Sequence, residues 1–329
     1  MSRITETQII RSLLVNLARQ RGFVDKFSNE ISTGLKAVKP GDTKNAGTIA
    51  QFQATLQKVD NFKQRIANVI GLLNIQDEVL SQTNDLLVRA KEIAEQGANE
   101  TLSTDERSFL AEEVFALRDQ LINLANTKYQ GRYIFSGLAD DQPAYSQTTS
   151  FTNPSSGDAS IRYAYTTADG STSTRSVKVT DDISVTVNTP GSTIFNNALY
   201  ALERLGRALA GYKTEPSSGA PDGSGDPYTF PDEFSTQTQD IQNALDLLET
   251  ARKDDVMTER TDLGGRIARL HAAESLLDLT SASAKEVASN LQEADITEAA
   301  SNLTQAQTAL DASMAITFRI LNQSILNFL

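Results

Sequence analysis

The sequence has no cysteine and no tryptophan, and its only histidine is His271. The absence of cysteine excludes disulfides, zinc-thiolate sites, iron-sulfur clusters and cysteine nucleophiles. A Ser-His-Asp triad would have to use His271, which lies in a long helical pattern with no strained serine turn, and one imidazole cannot form a histidine metal cluster. We therefore expect no catalytic residue, no metal and no cofactor.

Phosphate-binding glycine motifs and long apolar runs are also missing. There is neither a P-loop nor a GxGxxG sequence, and no run of about 18 apolar residues that could span a membrane. The segment Met1–Gln8 lacks the apolar core and cleavage site of a secretory signal. Acidic residues outnumber basic ones by 42 to 30, and the net charge of -12 repels nucleic-acid phosphates and anionic lipids. These features argue against an enzyme, a nucleic-acid binder and a membrane binder.

Proline and tyrosine are concentrated in the middle of the chain. Seven of the eight prolines and all eight tyrosines lie between residues 129 and 231. The two flanks, about 1–137 and 236–329, have helical periodicity, whereas the middle has short strand-like runs. The pattern predicts a mainly α protein, an elongated antiparallel helical bundle or coiled coil built from both chain ends, with a small inserted β-rich α+β domain.

Three helices are predicted in the first flank. A seven-residue apolar repeat marks the first helix, and Lys39-Pro40-Gly41 ends it. An apolar pattern with spacings of three and four predicts a second helix over about 45–97. Ser103 and Glu106 have capping-box spacing and begin a third helix, which should fold back antiparallel on the second. In the second flank, apolar repeats at sevens again predict long helices.

The middle of the chain is predicted to form a small antiparallel sheet. Its strand-like runs are 161–167, 176–180 and 183–187, and one helix over 194–209 packs on them. Residues 211–234 contain dense glycine and proline and predict a surface loop. The predicted domains are an N-terminal assembly arm (1–44), two parts of a helical core (45–137 and 236–285), an inserted β-rich domain (138–235) and a C-terminal assembly arm (286–329).

The two predicted arms carry opposite charges and apolar stripes. Residues 1–44 have a net charge of +4, and residues 286–329 have a net charge of -4. A single helix cannot bury such a stripe, so each arm must pack against a helix of the same chain or of another. An intramolecular coiled coil is the alternative, but we favour assembly between subunits. The predicted interface residues are Ile10, Leu13, Leu17, Val24, Phe27, Ile31, Leu303, Leu310, Met314, Leu321 and Phe328.

A glycine-bracketed segment with alternating aromatics follows the third helix. It reads Gly131, Arg132, Tyr133, Ile134, Phe135, Ser136, Gly137 and predicts a strand or hairpin arm packed on the helices. Together with residues 34–47, 99–107 and 121–126, it resembles the flagellin superfamily. Its Tyr-Ile-Phe-Ser-Gly form, like residues 299–313, is similar to the hook-filament junction branch of that superfamily. The resemblance covers both flanks but not the middle.

This resemblance implies a structural subunit of the bacterial flagellum, secreted and extracellular. It implies contacts with other copies of the chain, with the first hook-associated protein on one side and with flagellin on the other. It also implies passage through the flagellar type III exporter after binding to a cytoplasmic export chaperone. A flagellin-like filament subunit is the second hypothesis, and a cytoplasmic coiled-coil scaffold is the third.

Overall fold

The computed structural model describes residues 2–36, 45–147, 163–166, 170–213 and 227–326. Within them the helices are α1 Ser2–Thr33, α2 Ala46–Gly97, α3 Thr104–Ala125, α4 Ser192–Leu209, α5 Phe234–Thr250, α6 Thr258–Gln292 and α7 Ile296–Leu326. A π-helical segment, Ala251–Met257, connects α5 to α6. No helix in this described part of the chain is long and apolar enough to cross a membrane. The mainly α architecture predicted from the sequence is confirmed.

The chain divides into two compact units. The terminal unit comprises Met1–Asn61 and Leu276–Leu329, and the central unit comprises Phe62–Ser275. Helices α2 and α6 each contribute residues to both units. The predicted boundary between the helical core and the C-terminal arm, at residues 285 and 286, lies within α6. The predicted domain boundaries stay predictions.

The long helix α2 follows its predicted bounds and apolar stripe. Four of its largest fully buried side chains recur every seven residues, at Ile66, Leu73, Leu80 and Leu87. The polar interruptions of this stripe, Gln76 and Thr83, are also buried. The Gln76 amide donates to the carbonyl oxygen of Val187 at 3.1 Å, and the Thr83 hydroxyl donates to the carbonyl oxygen of Val79 at 2.8 Å. These hydrogen bonds allow polar residues to occupy core positions.

Helix α3 begins at the predicted capping box. The Glu106 carboxylate accepts from the Ser103 amide at 2.8 Å, and the Ser103 hydroxyl accepts from the Glu106 amide at 3.3 Å. These contacts lower the pKa of Glu106, because the hydrogen bonds from the Ser103 backbone and side chain favour its charged form. The amides of Ser103 and Glu106 at this helix start therefore both have partners.

Short strands form three separate antiparallel pairs in the described residues. They are β1 Lys128–Tyr129, β2 Arg132–Tyr133, β3 Tyr145–Gln147, β4 Tyr163–Tyr165, β5 Ser176–Lys178 and β6 Ser184–Thr186, paired in consecutive order. The prediction of a single sheet over the three runs in the middle was wrong. Strand β4 pairs with β3, in register Tyr145 to Tyr165, and not with β5. The predicted helix over 194–209 is confirmed as α4, whereas residues 214–226 of the predicted surface loop lie outside the described residues.

Candidate assembly surfaces

Helices α1 and α7 pack against each other in the terminal unit. Ala299 and Ala306 of α7 are buried, whereas most of the predicted interface residues are only partly covered: Leu13, Leu17, Val24, Phe27, Ile31, Leu303 and Leu310. Met314 is exposed. Ile10 and Leu321 lie within α1 and α7, and Phe328 lies outside the described residues. Pairing within one chain thus covers this stripe incompletely, and its role between subunits stays a prediction.

A second set of apolar side chains on α1 and α7 is exposed. We call Leu14, Val15, Phe23, Ile316 and Phe318 the exposed arm residues. Phe318 is 66% exposed. It lies twelve residues beyond the buried Ala306, which places it about 120° around the helix. Apolar surface therefore remains on the side of α7 that α1 does not cover.

A short antiparallel contact holds the turns that border the two helices. The Lys36 amide donates to the carbonyl oxygen of Gln292 at 2.6 Å, and the Ala294 amide donates to that of Gly34 at 2.9 Å. Gly34 has a φ of +69°, a conformation that favours glycine at the end of α1. The contact fixes where the chain leaves α1 relative to where it enters α7.

Asp295 is the N-terminal cap of α7. Its carboxylate accepts from the amides of Glu298 at 3.1 Å and Thr297 at 2.9 Å. These two backbone hydrogen bonds hold the pKa of Asp295 below its usual value, because they favour the ionised carboxylate. The cap therefore depends on an ionised side chain.

We expect Asp295→Ala to lower the hydrogen-exchange protection of the Thr297 and Glu298 amides, since both lose their acceptor. Asp295→Asn should keep the protection, because asparagine also caps helices. A carboxyl whose folded pKa is lowered stabilises the folded state above its unfolded pKa of about 3.9 and loses this effect as the pH falls through the folded value. Wild-type protection should therefore fall at acidic pH, whereas that of Asp295→Asn should not. Equal protection in all three proteins would contradict the cap.

The glycine-bracketed segment begins in a tight hairpin of the central unit. Strands β1 and β2 are joined by Gln130 and Gly131, whose φ angles are +51° and +81°. Two positive φ values are typical of the two-residue turns that match the twist of paired strands. Only Arg132 and Tyr133 of the segment are in a strand. The hairpin part of the prediction is confirmed, and the rest of the segment is a buried loop.

The buried loop, which follows the hairpin in the chain, packs against α4. Phe135 is 1% exposed, and its ring meets that of Phe195 edge to face with 5.0 Å between centroids. The Gly191 amide donates to the carbonyl oxygen of Phe135 at 2.7 Å. The Ser136 hydroxyl donates to the carbonyl oxygen of Gln142 at 2.7 Å. Each of these contacts joins the loop to another segment of the central unit.

Gly137 closes the loop at a position that excludes a side chain. Its φ is +64°, and a Cβ atom there would lie 2.1 Å from the carbonyl oxygen of Ser171. The Tyr165 hydroxyl lies 2.9 Å from the carbonyl oxygen of Phe135 and 2.7 Å from that of Ser171. Burial raises the pKa of Tyr165 and, more strongly, that of Tyr145, so both phenols stay neutral and able to donate. The segment thus holds several parts of the central unit together through buried contacts.

Helix α3 contains two buried arginines that the sequence did not lead us to expect. Arg118 pairs with Glu203 of α4 at 2.9 Å, and both side chains are 2% exposed. Arg107 donates to the side chain of Gln237 at 2.6 Å, and burial lowers the pKa of Arg107. Their spacing was a usable signal, because they continue the buried stripe of α3 formed by Ala111, Val114, Leu121 and Ala125.

His271 and the acidic side chains are groups of the described residues that could bind a metal ion. No group of three or more His, Asp or Glu side chains within them is arranged to hold a metal ion. His271 is exposed, and its Nδ1 atom lies 3.4 Å from a carboxylate oxygen of Glu274 on the same helix. The side chains described above are used for packing, capping and pairing.

Both flanks match family models. Residues 6–140 match the bacterial flagellin N-terminal helical region, and residues 236–329 match the bacterial flagellin C-terminal helical region. Flagellar hook-associated protein 3 of Escherichia coli (strain K12) is 29% identical over 296 residues, which are 88% of this chain and 87% of that protein. The protein of the same name from Salmonella typhimurium is 33% identical over 127 residues, 38% of this chain and 40% of that protein.

A solved structure has the same fold. The crystal structure of flagellar hook-associated protein-3 from Legionella pneumophila superposes with a TM-score of 0.56 at 18% identity, covering 73% of this chain and 98% of that one. The two family models together span more than two thirds of this chain. The chain therefore belongs to the bacterial flagellin family and is a structural subunit of the bacterial flagellum.

Proposed function

We propose that this chain forms the junction between the hook and the filament of the flagellum. Its terminal helices pack against those of neighbouring copies, with the first hook-associated protein on the hook side and flagellin on the filament side. Its role is structural and not catalytic. The relatives named hook-associated protein 3 support this placement, since one of them matches 88% of the chain.

The exposed arm residues are the observation that carries the proposal. Burial of a large apolar side chain contributes about 1.5–3 kcal/mol. Exposed ion pairs between arms of opposite charge contribute about 0–1 kcal/mol each and weaken with salt. Burial of the exposed arm residues therefore dominates the affinity between subunits, and charge selects which arm meets which.

The proposal includes an export route. The chain leaves the cell through the flagellar type III exporter, after a cytoplasmic chaperone has bound it, and reaches the extracellular tip of the hook. The apolar stripes of the arms support this route, because an isolated helix with such a stripe needs a partner before it meets its assembly neighbours.

A filament subunit is the second candidate, because the family models are those of flagellin. The Tyr133–Gly137 segment favours the junction role over the filament role, since its sequence Tyr-Ile-Phe-Ser-Gly resembles that of junction proteins. The two candidates differ in what happens to flagellin when the chain is missing. Without a junction, exported flagellin has nothing to attach to and is lost to the medium.

We expect a strain lacking this chain to make hooks without filaments and to shed flagellin. Complementation with Phe318→Leu should restore filaments, whereas Phe318→Asp should not, because an ionised carboxylate opposes burial. Electron microscopy of hooks and flagellin immunoblots of the medium measure both outcomes. The purified variants should melt within a few degrees of wild type, since Phe318 is 66% exposed in the free chain.

Three results would contradict the proposal. Normal filaments in the deletion strain would exclude an essential junction. Bare hooks without flagellin in the medium would favour the filament subunit. Filaments restored equally by Phe318→Asp would show that this surface of α7 is not buried on assembly.

A further inference from the structure

The central unit has a basic groove with an apolar floor. It has a volume of about 300 Å³. One side is formed by Arg65, Val69 and Leu72, which lie on one face of α2 at spacings of four and three. Tyr133, Val177 and Val187 also line the groove, and the exposed side chains of Arg132 and Arg175 form its rim. The groove is large enough for an aromatic ring and is bordered by guanidinium groups.

The charge of the rim is opposite to that of the chain. Asp140 pairs with both Arg132, at 2.9 Å, and Arg175, at 3.6 Å. One carboxylate is thus shared by two guanidiniums, and Arg65 adds a third positive charge beside them. The whole chain has a net charge of -12. An acidic partner surface is therefore favoured at the groove, whereas most of the chain's surface repels such a partner.

Helix α3 presents a surface that complements the groove. Phe109 is 76% exposed, the highest value among the large apolar side chains of the described residues. Asp105 and Glu112, four residues before and three residues after it, are also exposed. These spacings place both carboxylates beside the phenyl ring on one helix face. An apolar ring flanked by two acids matches an apolar floor flanked by arginines.

The two surfaces cannot meet within one chain. Phe109 lies sixteen residues before Ala125, where α3 ends, which is about 24 Å along the helix. The hairpin that borders the groove follows that end of α3. Since α3 is a continuous helix, it keeps Phe109 away from the groove of its own chain.

We propose that Phe109 of one copy docks in the groove of a second copy. Asp105 and Glu112 then face the arginines of the rim. The contact joins two different surfaces, so every copy has one Phe109 surface and one groove available for binding. Repeated contacts therefore build a ring or a helical array and not a closed dimer. This contact does not involve the terminal helices, and it would serve any assembly of this chain.

The absence of cysteine allows a clean test. Full-length chains with Asn68→Cys, at the groove, and Glu112→Cys, beside Phe109, are mixed at high concentration and oxidised. We expect a disulfide-linked dimer in the mixture and much less in either variant alone. Adding Phe109→Ala to the Glu112→Cys chain should lower the yield of disulfide-linked dimer at least about tenfold, which is the usual effect of truncating an aromatic residue at the centre of an interface. Phe109→Leu should retain most of the dimer.

The matched control replaces Glu112→Cys by Gln242→Cys, an exposed position on α5. The proposal would be overturned if the yield of disulfide-linked dimer were no higher than in the Gln242→Cys control, or if Phe109→Ala left that yield unchanged. Phe318→Asp in both chains should leave the cross-link intact. A cross-link lost with Phe318→Asp but kept with Phe109→Ala would assign the association to the terminal helices and also overturn the proposal.

Discussion

Phe135→Ala should lower the free energy of unfolding of the central unit by about 3–5 kcal/mol, the usual cost of truncating a buried phenylalanine. The ring is 1% exposed and stacks edge to face on Phe195 of α4. The backbone of residue 135 keeps its hydrogen bond from the Gly191 amide in the variant. The loss therefore comes from the cavity and the lost ring contact, and not from an unpaired carbonyl group.

Tyrosine fluorescence during denaturant unfolding measures this effect for the central unit alone. The chain has no tryptophan, and all its tyrosines lie between residues 129 and 228, within that unit. Phe109→Ala is the matched control, since the same atoms are removed from a side chain that is 76% exposed. It should change the stability by no more than about 0.5 kcal/mol. Equal effects of the two substitutions would show that Phe135 is not a core residue.

The helices were predictable because their signals are local. The apolar repeat of α2 and the capping box of α3 each lie within a few turns of chain, and helical periodicity links every position to neighbours three and four residues away. The buried residues Ile66, Leu73 and Leu80 follow that repeat. The arms show the limit of this reasoning, because a stripe does not specify whether its partner is in the same chain or in another.

Strand pairing was not predictable because it depends on distant residues. The short runs in the middle suggested one sheet, but β4 pairs with β3 and β5 pairs with β6. One cause is the segment after β4, where the Leu138 amide donates to the carbonyl oxygen of Gly170 at 2.8 Å. This hydrogen bond holds residue 170 beside the end of the glycine-bracketed loop. Residues this far apart in the chain share no local sequence pattern from which the contact could be predicted.

The buried arginines were missed for a different reason. Arginine on a helix usually marks a solvated face, so Arg107 and Arg118 were not counted in the stripe of α3. Their positions nevertheless continue the spacing of Val114 and Leu121. A cation at a core position signals a buried partner on a facing element, and here that partner is Glu203 for Arg118.

Arg118→Ala should destabilise the central unit by about 3–5 kcal/mol, because it leaves the Glu203 carboxylate buried without its cation. Burial lowers the pKa of Arg118, but Glu203 and Asp119 outweigh this effect and hold that pKa above its ordinary value. The guanidinium is therefore charged at all accessible pH values, and the contact is a true ion pair.

The double variant Arg118→Met with Glu203→Leu separates pairing from packing. Apolar residues of similar size remove both charges together, so most of the stability should return, as in other buried pairs. Arg89→Ala is the surface control, because Arg89 and Glu113 pair at 2.7 Å while both side chains stay over 40% exposed. It should have little effect on tyrosine-monitored unfolding. A double variant as unstable as Arg118→Ala would show that the guanidinium's packing on Phe115, 4.9 Å from the ring centroid, matters more than its charge.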